Sequence, residues 1–316
     1  MKTFATEPRP EGLRARPCPL CGHESPRPLW NLGAFSFAIC PRCGLVQQNP
    51  QPLSEFVLAR YDDAYLRYEE EKQFAYAALE MLTLRDLGYP DFGARLASRA
   101  RSEGRAPRVL DVGCATGALL ASLRDDGWDC RGVEVCIPAA AYGRERFGLD
   151  IRPTILEEAG FAPRSFDLIH ASHLIEHLNE PGAFLAQART LLAPGGRILI
   201  TTPNISGFQA RILGPRWRSA IGDHLFLFSR RTLARLLSES GFRIRSLVTW
   251  GGWAVGLKLA FLKPLLDPLA RRTGVGDVVA FLCEAEPETA AGLSAAGLSA
   301  ASHSAAGRAG DEALPR

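Results

Sequence analysis

The sequence predicts an open, doubly wound α/β sheet preceded by a small cysteine-rich head. Three observations carry this expectation. Residues 109–120 read Val-Leu-Asp-Val-Gly-Cys-Ala-Thr-Gly-Ala-Leu-Leu, a short apolar run, a small-residue turn and the start of an amphipathic stretch. A second acid, Glu134, ends the next apolar run about 20 residues past Asp111. Two matching cysteine pairs, Cys18/Cys21 and Cys40/Cys43, stand near the N-terminus.

The head, expected over 1–50, is read from the pattern C-x2-C-x18-C-x2-C. Each pair places two thiolates on one tight turn, and the glycine after it allows a positive φ. Four thiolates complete a tetrahedron and leave no position open, so Cys18, Cys21, Cys40 and Cys43 are expected to hold a structural zinc that does no chemistry. His23 lies close by, but four cysteines already fill the site. Phe35–Ile39 alternates like a strand, which makes the head a zinc ribbon. The chain has 8 cysteines, better read as four ligands and four loose thiols than as a disulfide framework.

The connection over 51–107 begins after the breaker Asn49-Pro50-Gln51-Pro52. Leu53–Leu87 is helical in pattern, with Phe56, Tyr61, Tyr65, Tyr68, Phe74 and Tyr76 along it. These aromatics either pack a helix on the core or roof a substrate pocket.

The core is expected over 108–285. Val109–Val112, Cys130–Val135, Phe166–Ala171 and Arg197–Thr202 read as buried strands. Ala118–Leu123 starts a helix, and Leu191-Leu192-Ala193-Pro194-Gly195-Gly196 closes another before the fourth strand. A tight turn between a strand and a helix N-terminus lets backbone N–H groups approach a ligand. This order of elements closely resembles the class I S-adenosylmethionine-dependent methyltransferases, which are built on a seven-stranded Rossmann-like sheet. The resemblance implies that Asp111, Gly113, Ala115 and Gly117 wrap the methionine end of the cofactor and that Glu134 binds its ribose hydroxyls. Ala115 stands where the family's Gly-x-Gly-x-Gly has its middle glycine. A dehydrogenase is the competing reading, but its Gly-x-Gly-x-x-Gly turn is not spelled here. Ribbon, tyrosine-rich helices and core in this order also resemble the sugar C-methyltransferases of bacterial deoxysugar pathways.

Ser172-His173-Leu174-Ile175-Glu176-His177-Leu178 follows the third strand. On a helix, His173, Glu176 and His177 would share one face. They would lie outside the carboxyl end of a strand, where open α/β sheets bind ligands. The Glu-His pair resembles a group that includes ubiquinone-pathway O-methyltransferases and small-RNA 2′-O-methyltransferases. Some members hold a divalent metal with Glu-x-x-Glu-His and a later histidine. Here His173 replaces the first glutamate, and His224 is the candidate fourth ligand. Three readings stay open: a histidine general base, a metal site, or a cluster that only caps a helix.

Farther on, Gly207–Trp217 is expected to cover the pocket. Ser229 caps a helix at Arg231–Ser240, Gly241 stops it, and Arg243–Trp250 and Val278–Cys283 are strands. The apolar segment 251–272 carries Lys258 and Lys263 and reads as a core or dimer helix, or as a peripheral membrane contact. The oligomeric state stays open. The stretch 286–316 is rich in Ala, Gly and Ser and is expected to be disordered.

A net charge of +3 and a scarcity of lysine argue against nucleic acid as a partner. No secretory pattern is legible in Met1–Arg16 and no apolar run is long enough to span a bilayer, so a cytoplasmic protein, with or without peripheral membrane contact, is expected. The expected activity is methyl transfer from S-adenosylmethionine to a small molecule or a sugar, glycan or lipid-linked intermediate. The alternatives are RNA methylation with the ribbon gripping substrate, and a non-catalytic cofactor-binding module.

Overall fold

Glycines, prolines and a few capping side chains set the boundaries of most elements. The computed structural model describes residues 12–251 and 273–286. The apolar segment at 251–272, apart from Gly251, and the stretch beyond residue 286 lie outside the described residues.

The head carries β1 (Leu13–Arg14), β2 (Arg27–Asn31), β3 (Ser36–Ile39), β4 (Val46–Gln48) and β5 (Gln51–Pro52). Three helices follow: α1 (Ser54–Leu58), α2 (Asp63–Asp86) and α3 (Tyr89–Ser102). The Asp62 carboxylate accepts the Ala64 and Tyr65 N–H groups and caps α2. Gly88, at φ 91°, separates α2 from α3. The sequence pattern suggested helix only as far as Leu87. α3 carries helix on through the 51–107 connection, which was expected as a helical linker or lid; its buried Phe92, Leu96 and Ala100 recur every four residues.

The core continues through β6 (Arg108–Val112), α4 (Ala118–Asp125), β7 (Asp129–Val133), α5 (Ile137–Phe147) and β8 (Asp150–Arg152). Next come β9 (Phe166–Ser172), α6 (Pro181–Leu191), β10 (Leu192–Pro203) and α7 (Phe208–Leu213). The last elements are β11 (Phe226–Leu227), α8 (Arg230–Glu239), β12 (Phe242–Trp250) and β13 (Val278–Ala285). Seven strands form one sheet in the order β12-β13-β10-β9-β6-β7-β8. The pairs from β10 to β8 are parallel, and β13 runs antiparallel to both its neighbours. This is the doubly wound sheet expected from the sequence.

Strand alternation divides the core into two layers. Leu110, Val112, Ile169, Ala171, Ile198 and Ile200 face α6 and α8 through Phe184, Leu185, Leu233 and Leu237. Val109, Leu168 and Leu199 face the other way, onto Leu84, Phe92, Leu96, Leu120 and Leu123. At the amino end of β9, the fully buried Asp167 accepts from Arg99, Arg105 and the Arg108 N–H, which fixes α3 to the sheet.

The head is joined to this core by a shared sheet of order β11-β4-β3-β2. Phe226 pairs with Gln47 and Leu227 with Val46. Cys18, Leu20, Cys40 and Leu45 belong to the same apolar cluster as Leu225, Phe226 and Phe228.

Candidate active site at the carboxyl ends of β6, β7 and β9

The strand order reverses between β6 and β9, and a crevice forms at such a switch point. The turn from Gly113 to Gly117 lines one side of it. Gly113 and Gly117 sit at φ 74° and 77°, and Gly117 begins α4. A Cβ at Gly117 would lie 2.6 Å from Leu149 Cδ1 and 2.9 Å from Ile151 Cδ1. Glycine is therefore required there twice over, by backbone and by packing. Ala115 holds φ 48°, a left-handed conformation that a methyl-bearing residue adopts at a cost of roughly 1 kcal/mol. Its N–H donates to Glu134 Oε2 at 2.8 Å, and the Cys136 N–H donates to Oε1 at 2.8 Å.

Glu134 is buried at the end of β7. Burial pushes its carboxyl up to about 7, against the pull of the Cys136 and Ala115 N–H groups. Each oxygen receives one backbone donor and keeps lone pairs for another. A left-handed small-residue cradle beside such a carboxylate fits a nucleoside with a ribose diol.

The loop before α2 and its first turns stand over the crevice. The rings of Tyr61 and Tyr65 meet edge to face at 5.1 Å. Burial raises the Tyr61 phenol, and Glu134, Asp223 and Glu176 reinforce that. Glu69 on α2 is pushed up to about 7 by burial and by Glu134. Of the aromatics noted in the sequence, Tyr61 and Tyr65 thus reach the crevice. Glu69 carried no sequence signal, because it sits in a Glu-Glu-Glu-Lys run that reads as a solvated face.

Across the crevice, β9 ends at Ser172 and His173 turns the chain at φ 51°. The expected α-helix is absent; a 3-10 turn at Ile175–His177 takes its place. A positive φ at His173 breaks the helical path, yet the three side chains still converge. Glu176 is fully buried and accepts from His173 Nδ1 at 3.2 Å and Thr202 Oγ1 at 2.9 Å. Burial opposes its charge, but the His173 contact prevails and holds the carboxyl down to about 2.

His177 Nδ1 lies 2.9 Å from the Asp223 carbonyl, and His224 Nδ1 lies 2.8 Å from the Ser219 carbonyl. A carbonyl can only accept, so in both rings Nδ1 carries a proton. The rings meet edge to face at 4.8 Å. Burial and His177 press His224 down to about 3, which keeps it neutral. Glu176, His177 and His224 offer ligand atoms that all lie within 4.8 Å of one another, so this set could hold a divalent cation. His173 touches Glu176 but stands outside that set, with its side chain 45% exposed.

The loop 222–225 that carries His224 is braced by the head. Leu225 N–H donates to the Glu176 carbonyl at 2.8 Å, and Gln48 N–H donates to the Leu225 carbonyl at 2.7 Å. Gln48 Nε2 and Arg60 both donate to the Gly222 carbonyl. In the head itself the Cys18 and Cys43 sulfurs are 3.4 Å apart, and those of Cys21 and Cys40 are 3.5 Å apart. All four lie within 4.8 Å of one another and none is in a disulfide. Zinc–sulfur bonds of about 2.3 Å give tetrahedral edges of about 3.8 Å, so the cysteines could hold such an ion. Gly22 and Gly44, at φ 70° and 81°, follow the two knuckles as the sequence implied.

Comparison with known proteins gives the same picture. The family described as "Methyltransferase domain" matches residues 81–247. The ubiquinone biosynthesis O-methyltransferase of Cereibacter sphaeroides (strain ATCC 17025 / ATH 2.4.3) is 34% identical over 117 residues, covering 35% of this chain and 47% of that protein. Its namesake from Aeromonas salmonicida (strain A449) is 25% identical over 153 residues, covering 44% and 64%. The chain spans about half the length of the curated relatives from Cereibacter sphaeroides. A solved S-adenosylmethionine-dependent methyltransferase from Archaeoglobus fulgidus is 17% identical with a TM-score of 0.49, over 70% of this chain and 100% of that one. The family match, the seven-stranded order with its one antiparallel strand, and the glycine turn beside Glu134 agree: the chain belongs to the class I S-adenosylmethionine-dependent methyltransferases.

Proposed function

We propose that this methyltransferase methylates a hydroxyl group of a small molecule, with His177 as the base that takes the hydroxyl proton. The observation that carries this reading is the hydrogen bond from His177 Nδ1 to the Asp223 carbonyl, which fixes the ring beside Glu176 and His224 just past the carboxyl end of β9. The ubiquinone biosynthesis O-methyltransferases among its relatives support a hydroxylated small molecule over a macromolecule. Asp111, Gly113, Ala115 and Gly117 would hold the methionine end of S-adenosylmethionine, and Glu134 would accept from its ribose hydroxyls. The sulfonium supplies an electrophilic methyl group. The protein aligns the acceptor oxygen opposite the carbon–sulfur bond, which is where most of its rate advantage arises. As the new oxygen–carbon bond forms and the carbon–sulfur bond breaks, the hydroxyl proton passes to His177 Nε2. The sulfonium is left as a neutral thioether. Glu176, ionised and held by Thr202 and His173, steadies the positive charge that His177 then bears.

A second reading rests on the convergence of Glu176, His177 and His224: the three hold a divalent cation that orients and acidifies the acceptor hydroxyl. Substitution separates the two. A base role predicts that His177→Ala slows turnover by about 10²–10⁴ while His224→Ala is tolerated. A metal role predicts that both fall alike and that a chelator-treated enzyme regains activity with a divalent ion. Full activity in both variants would refute both readings. We further assign one structural zinc to Cys18, Cys21, Cys40 and Cys43, where it would fix the strand β4 that braces the His224 loop.

A further inference from the structure

An arginine beside the crevice is anchored from below and keeps unused donors. Asp277, immediately before β13, is buried. Its Oδ1 accepts from Trp217 Nε1 at 2.5 Å and its Oδ2 from Arg218 Nε at 2.6 Å. Trp217 is itself buried, and the Ser219 carbonyl on the other side of Arg218 holds His224. Arg218 is thus pinned next to the Glu176, His177 and His224 cluster, yet its side chain stays 47% exposed. A guanidinium carries five N–H donors, and Asp277 occupies only the one on Nε. Among the described residues Nη1 and Nη2 meet no acceptor.

The helix α2 adds a second group of donors. Tyr68, Lys72 and Tyr76 recur every four residues and share one face of it. The Tyr68 and Tyr76 hydroxyls lie 2.9 Å apart, and Lys72 Nζ stands 3.7 Å over the Tyr68 ring. The ion pair of Lys72 with exposed Glu71 is loose, at 3.9 Å. The charge of Arg218 acts on both the Tyr76 phenol and the His173 imidazole, favouring the anion of one and the neutral form of the other, which brings it near both. Glu69 acts on the same two groups, but burial and Glu134 push its carboxyl up to about 7, which weakens its claim on the nearby cations.

Resting on the small-molecule reading above, we propose that Arg218, helped by Lys72 of α2, is the recognition site for an anionic group of the acceptor: the molecule that is methylated carries a carboxylate or a phosphate besides its hydroxyl. The Arg218–Asp277 pair is neutral by itself, so the selectivity comes from the open guanidinium donors and from Lys72. Asp277 holds the guanidinium before the acceptor arrives, and little side-chain freedom is lost when it forms paired bonds to two oxygens. Because Ser219 follows Arg218 and holds His224, an anion on Arg218 brings the rest of the acceptor beside His177 and His224.

The test offers methyl-labelled S-adenosylmethionine and two matched pairs of pools to wild type and to Arg218→Gln: hydroxy acids against their primary amides, and sugar phosphates against the parent sugars. Wild type should favour the charged member of a pair by about tenfold to a hundredfold, the scale of one charged hydrogen bond, and Arg218→Gln should cut that preference to about threefold or less. The pair that responds tells carboxylate from phosphate. Equal labelling of charged and neutral pools by wild type, or a preference unchanged in the variant, would overturn the proposal. A second measurement needs neither a known acceptor nor a variant. Phenylglyoxal attacks the Nη1 and Nη2 edge of an arginine, and peptide mass mapping follows the adducts. In wild type bound to S-adenosylhomocysteine, inorganic phosphate should slow modification of Arg218 by about threefold at twice its dissociation constant, by mass action, and leave the exposed Arg27 of β2 unchanged. No protection, or equal protection at both arginines, would overturn the anion site. Absence of label in every pool would count against small-molecule methylation, and the protection result would still decide the anion site.

Discussion

If Glu134 holds the cofactor ribose as proposed, cofactor binding depends on pH near neutrality. Its carboxyl lies at about 7 in the folded protein, because burial outweighs the two backbone N–H groups that stabilise the anion. Ribose hydroxyls donate to a carboxylate, so they bind the ionised form and draw protons off. Affinity is therefore full above this value and falls as the pH drops through it. When only the anion binds, the apparent dissociation constant scales as one plus the ratio of protonated to ionised carboxyl. That factor is about 11 at pH 6 and about 1.1 at pH 8, a tenfold difference worth about 1.4 kcal/mol. Asp111, Glu69, Tyr61 and Tyr65 face the same carboxylate, and Glu69 also lies at about 7. Glu134→Gln is accordingly the control that isolates one group. Calorimetry with S-adenosylhomocysteine at pH 6, 7 and 8, in two buffers of different ionisation enthalpy, should show tighter binding and less proton release as the pH rises. A flat profile in wild type, or an unchanged slope in Glu134→Gln, would refute the reasoning. The apo protein should show the opposite trend: a folded value raised above 4.5 gives stability that is full below 4.5 and lost as pH rises through about 7.

Other expectations follow from the same geometry. His177→Ala should slow methyl transfer by about 10²–10⁴ and leave S-adenosylhomocysteine affinity within about twofold, measured by turnover and calorimetry. Elemental analysis should find one zinc per chain, and Cys40→Ser should lose both the metal and, through β4 and the 222–225 loop, acceptor turnover, while retaining cofactor binding. Gly117→Ala should destabilise the fold by about 1–3 kcal/mol in denaturant titration, because its φ is 77° and its Cβ would meet Leu149 and Ile151.

How much of this was legible in the sequence depends on the range of the interaction. Strands such as Val109–Val112 and Phe166–Ala171 are continuous apolar runs, and a buried parallel sheet requires them. Ser229 was legible as a cap because its hydroxyl bonds locally to the Thr232 N–H. The turn at 172–178 misled because i, i+3, i+4 spacing suggests a helix, and nothing local discloses the left-handed His173. Gln48 carried no signal, since its role depends on Leu225 and Gly222, which are remote in sequence. His170 reads as a blemish in an apolar strand until Asp111 and Glu80 are brought to its two nitrogens. Residues that act through local turns and periodicity were thus readable, and those that act through tertiary partners were not.

Single-turnover transfer from methyl-labelled S-adenosylmethionine tests the central claim most directly. A pool of hydroxylated small molecules and a pool of RNA would be offered to wild type and to His177→Ala in parallel. The account predicts label in the hydroxyls of small molecules, formed by wild type and slowed about 10²–10⁴ in the variant. Label in RNA, or small-molecule product formed equally fast by both proteins, would contradict it.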